Sequence, residues 1–338
     1  MTSALIAGSA APTAPYDADI VILTMDRVEE TLEAIRSALA QEGVSRHVLV
    51  FDQGSTADNL ARLRQAVEGS PEAGLYRAER NFGVAGGRNR ATALGHGRVI
   101  IALDNDAEFA TTTTVARAVA RLDAAQDLAA IGFRVCIYDT GQDDLSSWGY
   151  ARSLLPRSAE EFETVTFVGA GHAISRKAWD EVAGYDDGLF FCWEELDFCL
   201  KAIAAGWRMI YAGDLVVRHK VSPDRRFNWT GTRWFFFVRN RLYIGAKWQP
   251  WPMLLPRAAG YMLKGFRNGL WAQTLKALPA AWRMSRSGRR HHMPPAGQAY
   301  LRRNDAAHRG GLAARIRREV FAALPGHGMK QPRTAGPP

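Results

Sequence analysis

Three short apolar runs, each closing in a polar or acidic turn and separated by segments of helical periodicity, constrain this chain most. "DIVILT" (Asp19 to Thr24), "RHVLVFDQGS" (Arg46 to Ser55) and "RVIIALDND" (Arg98 to Asp106) have the length and β-branched content of buried strands. Between them, "VEETLEAIRSALAQEG" sets Leu32, Ile35, Ala38 and Leu39 at helical spacing with Gly43 as a stop, and "NLARLRQAVEGS" reads as a second helix. Strand, helix, strand, helix, strand within 106 residues is the alternation of a parallel α/β sheet, Rossmann-like in its first half. Such sheets bind ligands beyond the carboxyl ends of their strands, which directs attention to Asp52, Gly54 and Ser55 and to Asp104 through Asp106.

The alternation loosens after Thr111. "TTTTVARAVARLDAA" reads as a helix, "AAIGFRVCIYD" as a strand, and "TGQDDLSSWGYARSLLPRSAEE" as a variable excursion. "TVTFVGAGHAISRKAWDEVAGYDDGLFF" restores strand, glycine-rich turn and helix, and "WRMIYAGDLVVRHK" is expected to form a strand hairpin. From about Gln249 the composition shifts to Pro, Trp, Ala and Arg, marking a helical basic C-terminal extension over 246–285 and a basic, largely disordered tail over 286–338 with a short helix around "GLAARIRREVFAAL". The first 17 residues, rich in Ala, Ser and Pro and free of Lys and Arg, lack the basic start of a signal peptide and are expected to be a disordered leader. The main domain is then 18–245. Cys136, Cys192 and Cys199 form no metal-binding spacing, and an odd count argues against a disulfide framework, which fits a reducing compartment.

Net charge is +9, unevenly spread: residues 241–338 hold 18 Lys and Arg against Asp305 and Glu319, a balance of +16, so residues 1–240 stand at −7. A basic block of this kind meets nucleic acid, anionic lipid or polyphosphate. With no zinc-finger spacing, RNP-like strand or basic zipper, a nucleic-acid partner is not expected. In "WPMLLPRAAGYMLKGFRNGLW", Arg257, Lys264 and Arg267 recur opposite Leu255, Ala259, Met262, Phe266 and Leu270, with Trp248, Trp251 and Trp271 nearby. That pattern suits a helix lying in an anionic membrane surface and equally a helix packed on its own domain. Pro256, Arg257, Lys264 and Arg267 interrupt any spanning run, so the expected location is cytoplasmic, peripheral on the inner membrane face.

Four segments offer chemistry. "LDND" presents Asp104 and Asp106 from one turn, which suits a hard divalent ion, Mg²⁺ or Mn²⁺, and also a solvated turn. "ERNFGVAGGRNRA" leads a glycine-rich turn into a helix, with Arg88 within reach of a phosphate or ribose. "VVRHKVS" ends a late strand on His219, a third ligand only if the fold brings it to the aspartates. "FFCWEELDFCLK" crowds Glu194, Glu195 and Asp197 among apolar residues; they can serve as first-turn acids, with Asp197 pairing to Lys201, or supply a general base.

The ordered series "ILTMDR", "VFDQGST", "NFGVAGGRN", "LDND", "FVGAGHAISRKAWDEVAGYDDGLFFCWEELDFCLKAIAAGW", "VVRH" and "FFFVRNRLY" resembles glycosyltransferase family 2, in particular its bacterial rhamnosyltransferase-like branch, over roughly residues 18–245. The resemblance implies a GT-A fold, a nucleotide-binding α/β half with a mixed central sheet joined to an acceptor half. It implies a nucleotide-diphospho-sugar donor lined by Thr24, Arg27, Asp52, Arg88, Asp104 and the turn Gly169, Ala170, Gly171; a divalent metal held by Asp104, Asp106 and His219; and a base from Glu194 and Glu195, the second being the family's position. This chain has Glu at that second position where Asp is usual. Trp193, Arg233 and Arg239, with Lys220, are expected near the acceptor or the diphosphate. The expected activity is inverting sugar transfer to a glycan, lipid-linked through polyprenyl diphosphate, in cell-surface polysaccharide synthesis. A catalytically silent assembly protein on the same fold, or a nucleotidyltransferase, is the alternative.

Overall fold

The computed structural model describes residues 3–220, 231–288, 290–311 and 324. The parallel half forms as the alternation requires. Strands β2 (Ala18–Thr24), β3 (Arg46–Asp52), β4 (Ala73–Ala78) and β5 (Val99–Asp104) lie side by side in the order β4-β3-β2-β5, all parallel. Helices α1 (Val28–Leu39), α2 (Ala57–Val67) and α3 (Gly83–Thr92) connect them. Beyond β5 the sheet continues with β9 (Gly171–Ser175), β7 (Leu128–Ile137), β10 (Arg208–His219) and the short β6 (Ala107–Phe109), while β8 (Glu161–Thr164) pairs with β10 off that path. Because β9 runs antiparallel to both β5 and β7, the ten-stranded sheet is mixed. Helices α4 (Thr114–Ala124), α5 (Arg176–Glu181) and α6 (Glu194–Ala204) complete the layers. Both sheet faces are buried, one under Ile20, Ile22, Val48, Val50 and Ile101, the other under Val21, Leu49, Phe51 and Ile100, the two-sided covering that near-continuous apolar strands demand.

Three expectations need correction. Residues 3–8 of the expected leader form strand β1 (Ser3–Gly8), antiparallel to β4 at the sheet edge. A segment of Ala, Ser and Leu has little strand propensity of its own; the open edge of β4 supplies the partner groups, and Gly74 lets the chain approach so closely that a Cβ there would lie 2.4 Å from the Ser9 carbonyl. "WRMIYAGDLVVRH" is one strand with an irregularity between Ala212 and Val216. Gly213 is small because the Ser158–Ala159 backbone packs on it, and at this bulge β10 exchanges β8 for β6 as its antiparallel neighbour. The boundary expected at 245 falls inside helix α7 (Gly231–Trp248).

Helices α7, α8 (Leu255–Arg267) and α9 (Trp271–Ser287) share a core of Trp234, Val238, Leu242, Leu254, Ala277 and Ala281. Part of the tail expected to be disordered forms α10 (Pro295–Asn304), which folds back onto the sheet: the Tyr300 hydroxyl donates to the Thr164 carbonyl at 2.9 Å and accepts from the Met209 amide at 3.0 Å. The helix expected around "GLAARIRREVFAAL" lies outside the described residues apart from its two ends.

Buried charge rivets the extension to the domain. Lys247 donates to Asp186 at 2.6 Å and to Asp197 at 2.7 Å, with only 6% of its side chain exposed. Asp197 therefore pairs across the interface first, and Lys201, expected to be its partner, stands 3.8 Å away and donates to the Val182 and Gly184 carbonyls. Removing one member of a buried ion cluster strands the others, so Lys247→Met is expected to lower the unfolding free energy by about 3–5 kcal/mol, read from urea denaturation against the parent chain. A change under about 1 kcal/mol would mean that the rivet carries no stability.

Candidate functional site

The carboxyl ends of β2, β3 and β5 open on one side of the sheet, and the expected donor-side residues gather there. Asp104 ends β5; its amide donates to the Ala170 carbonyl at 3.2 Å, joining that strand to the glycine-rich turn. Two residues on, Asp106 meets His219, the last residue of β10, with Nε2 and Oδ1 3.1 Å apart. One ligand atom from each of Asp104, Asp106 and His219 lies within 4.8 Å of the others, a set of hard oxygen and imidazole donors that fits a divalent ion. Sequence spacing could not have shown this, because 113 residues separate Asp106 from His219.

Both aspartates are also held by arginine. Arg88, 3% exposed, donates from Nη2 to Asp104 at 2.8 Å and to the Gly169 carbonyl at 3.3 Å. Arg27 pairs with Asp106 from the turn after β2, where Asp26 and Arg27 both take positive φ. The Thr24 hydroxyl braces that turn through the Asp26 carbonyl at 3.2 Å and Thr31 at 2.9 Å. Asp52, fully buried at the end of β3, bonds to Ser55 and pairs with Arg77, so it shapes the loop that follows β3.

Asp144 carries no signal in the sequence. It sits in the excursion after β7, 3% exposed, and accepts from the Ser146 amide at 3.0 Å, the Ser147 hydroxyl at 2.7 Å and His219 Nδ1 at 3.1 Å. A carboxylate on Nδ1 fixes the ring and the tautomer that points Nε2 at the aspartates, the usual support of a metal-ligating histidine. Asp144→Asn is expected to weaken Mn²⁺ binding by about 10–100-fold, measured by electron paramagnetic resonance titration. Unchanged affinity would show that Asp144 does not orient the ligand.

Glu194 and Glu195 open α6, and their surroundings separate them. Glu194 is 4% exposed, and its Oε2 is buried with no hydrogen-bond partner; burial and the neighbouring Glu195 charge push its carboxyl well above the usual range. Glu195 lies against the glycine-rich turn, where a Cβ on Gly169 would come within 2.6 Å of its Oε1. Burial, partly opposed by backbone hydrogen bonding and by Arg88, pushes Glu195 up to about 7. Gly171, the other glycine of the turn, leaves room for Val217 of β10.

The approach to α6 is strained. Phe190, Cys192 and Trp193 take φ of 62°, 72° and 73°, at a cost of about 1–3 kcal/mol each for residues with a Cβ. Helix α7 holds them there. The Asn240 amide, fully buried, lies within hydrogen-bond distance of the carbonyls of Leu189, Phe191 and Cys192 at 2.8–2.9 Å. Arg239 donates to the Gly188 and Leu189 carbonyls at 2.8 Å, and the Trp193 indole donates to the Phe237 carbonyl at 3.0 Å. Arg239 and Trp193, expected near the diphosphate or acceptor, thus engage the loop that positions the glutamates. Arg233 lies over the Phe191 ring at 5.5 Å, and Lys220 pairs with Glu33 and Glu108. Asn240 went unnoticed in the sequence because an asparagine inside an aromatic helix carries no signal until the loop it holds is seen.

Residues 19–183 match the family model for glycosyl transferase family 2. That match covers just under half of the chain. The matched segment contains the aspartate pair and the glycine-rich turn, while the glutamate pair, His219 and α7 lie beyond it. Among curated relatives, the chain is 38% identical over 96 residues to succinoglycan biosynthesis protein ExoU of Rhizobium meliloti (strain 1021), a match covering 28% of each chain. It is 36% identical over 109 residues to ExoO of the same organism, covering 32% of this chain and 30% of that one. The chain thus spans less than a third of the length of these two relatives. Among solved structures, it resembles the mannosyltransferase PcManGT from Pyrobaculum calidifontis in complex with GDP-Man and Mn²⁺, with a TM-score of 0.52, 17% identity and coverage of 91% of this chain and 80% of that one. GalNAc-T7 with UDP, GalNAc and Mn²⁺ gives a TM-score of 0.58, 17% identity and coverage of 92% and 59%. At that identity the likeness establishes the fold, which is GT-A.

Proposed function

We propose that this protein is a metal-dependent, inverting glycosyltransferase that moves a sugar from a nucleotide-diphospho-sugar to a hydroxyl of a glycan acceptor. The observation that carries the reading is the convergence of the Asp104, Asp106 and His219 donor set with Glu195, across the Gly169 turn, at the strand ends of a segment that matches the family 2 model. The succinoglycan relatives support polysaccharide synthesis as the setting, and a polyprenyl-diphosphate-linked glycan on the cytoplasmic membrane face suits the acceptor.

The chemistry follows from the arrangement. Arg88 and the carbonyl-lined turn at Gly169 and Ala170 fix the floor on which the donor sugar rests. Glu195, ionised, takes the acceptor proton as the new carbon–oxygen bond forms and the bond to the diphosphate breaks on the opposite face, which inverts the anomeric centre. A divalent ion held by Asp104, Asp106 and His219, Mg²⁺ or Mn²⁺, supplies charge stabilisation to the departing diphosphate. Glu194, whose carboxyl burial and the neighbouring Glu195 charge push well above the usual range, disfavours a second negative charge beside the base. Asn240 and Arg239 hold the strained loop that delivers both glutamates.

A screen of nucleotide-sugars with Mg²⁺ and Mn²⁺, scored by release of nucleoside diphosphate in the presence of glycolipid extracts, tests the proposal. Metal-dependent release with at least one donor is expected. No release across the common donors would favour a binding or assembly role on the same fold.

A further inference from the structure

The C-terminal helices are amphipathic in an unusual sense, because they keep an apolar stripe on the outside. Toward the domain, Ala258, Tyr261, Leu270 and Leu278 pack on the core shared with α7, and Lys264, expected on a solvated basic face, is buried. Toward solvent, Leu255, Leu263 and Phe266 follow one another along α8, and Trp271, Leu275 and Trp282 along α9. Phe266 is 73% exposed and Met253, just before α8, 67%. Seven of the eleven exposed large apolar side chains among the described residues fall between positions 253 and 282. Single exposed apolar residues are ordinary, but a contiguous patch marks a surface that meets something apolar.

Charge identifies the partner. Residues 231–304 contain 14 Lys and Arg and no Asp or Glu. Lys276 and Arg283 line a groove beside the stripe together with Phe235, Trp271, Leu275 and Pro279, and Arg286 continues the α9 stripe. Aromatic and aliphatic side chains bordered by cations, with no anion over 74 residues, match the acyl and headgroup layers of an anionic bilayer and would repel a second, equally basic copy of the same surface. No helix among the described residues is long and apolar enough to cross a membrane, so contact of this kind lies in the interface plane.

We infer that the outward faces of α8 and α9 form a docking surface for an anionic membrane, with Phe266, Trp271 and Trp282 entering the headgroup boundary. The surface shares α7 with the catalytic loop: Phe235 lines the groove, while Phe237, Arg239 and Asn240 hold Leu189 to Trp193. A docked enzyme would thus hold its glutamates at a fixed place relative to the bilayer, where a lipid-linked acceptor is confined. That last purpose rests on the transferase reading; the surface itself does not.

The test is sedimentation of the full chain with phosphatidylcholine vesicles and with vesicles containing phosphatidylglycerol. Binding to the anionic vesicles that weakens with salt is expected, with much less to the neutral ones. Phe266→Ser, Trp271→Ser and Trp282→Ser combined should lower it at least about tenfold, and so should Lys276→Glu with Arg283→Glu. Melting temperature and nucleoside diphosphate binding should be unchanged in both variants, which separates lost docking from lost folding. Undiminished binding by the triple variant, or equal binding to neutral vesicles, overturns the inference. A dimer of the parent chain that the triple variant loses, seen by sedimentation velocity without vesicles, would instead assign the face to a second copy and also overturn it. Vesicle binding without sugar transfer in any assay would count against the transferase reading and leave this surface standing.

Discussion

Glu195→Gln is expected to lower kcat by about 10²–10⁴-fold, the range for losing a positioned general base, while donor binding stays essentially unchanged. The amide keeps the size and place of the side chain against Gly169, so the loss isolates proton acceptance. The pH dependence carries the same assignment. The base form of a carboxyl raised to about 7 grows as pH rises through that value, so the wild-type rate should climb through about pH 7 and then level, and the Gln variant should lose that limb. Glu194 differs: its carboxyl is buried and pushed far up, and an amide is nearly isosteric with the protonated group. Glu194→Gln should therefore retain most of the rate. Loss of the rate from Glu194→Gln with the rate retained in Glu195→Gln, at unchanged donor affinity, would reverse the roles.

The second large effect is expected at Asp106. Replacing it by Ala removes one of three donors and leaves Arg27 and His219 facing a gap, so Mn²⁺ affinity should fall by more than the about 10–100-fold expected when a supporting carboxylate is lost. Transfer should fall with it and recover only partly at high metal concentration. Titration of Mn²⁺ by electron paramagnetic resonance reads the binding directly, independently of turnover. Unchanged metal affinity in Asp106→Ala would overturn the proposed donor set.

Much of the site could be read from short segments because strand ends are local features. A run such as "RVIIALDND" is apolar where both faces are covered and turns acidic where the sheet stops, so Asp104 and Asp106 could be placed at an opening before any fold was known. Residues acting across the molecule left no such trace. Asp144 lies in a segment with no regular pattern, and its role exists only because β10 brings His219 beside it. Arg239 and Trp193 looked like ligand contacts because cations and aromatics near acids often are; the structure engages both with the backbone around a strained loop. Lys201 looked like the partner of Asp197 by helical spacing, yet a cation from another helix stands closer.

By itself, then, the sequence determined the parallel α/β half, the acidic strand end, the paired glutamates and the basic, aromatic C-terminal region, because each is written in periodicity or composition within a few turns of chain. Tertiary structure alone decided which glutamate is sequestered, which carboxylate orients His219, and which face of the C-terminal helices points outward. Those depend on burial and on contacts between residues dozens to more than a hundred positions apart, and neither desolvation nor a distant hydrogen bond is encoded in local spacing.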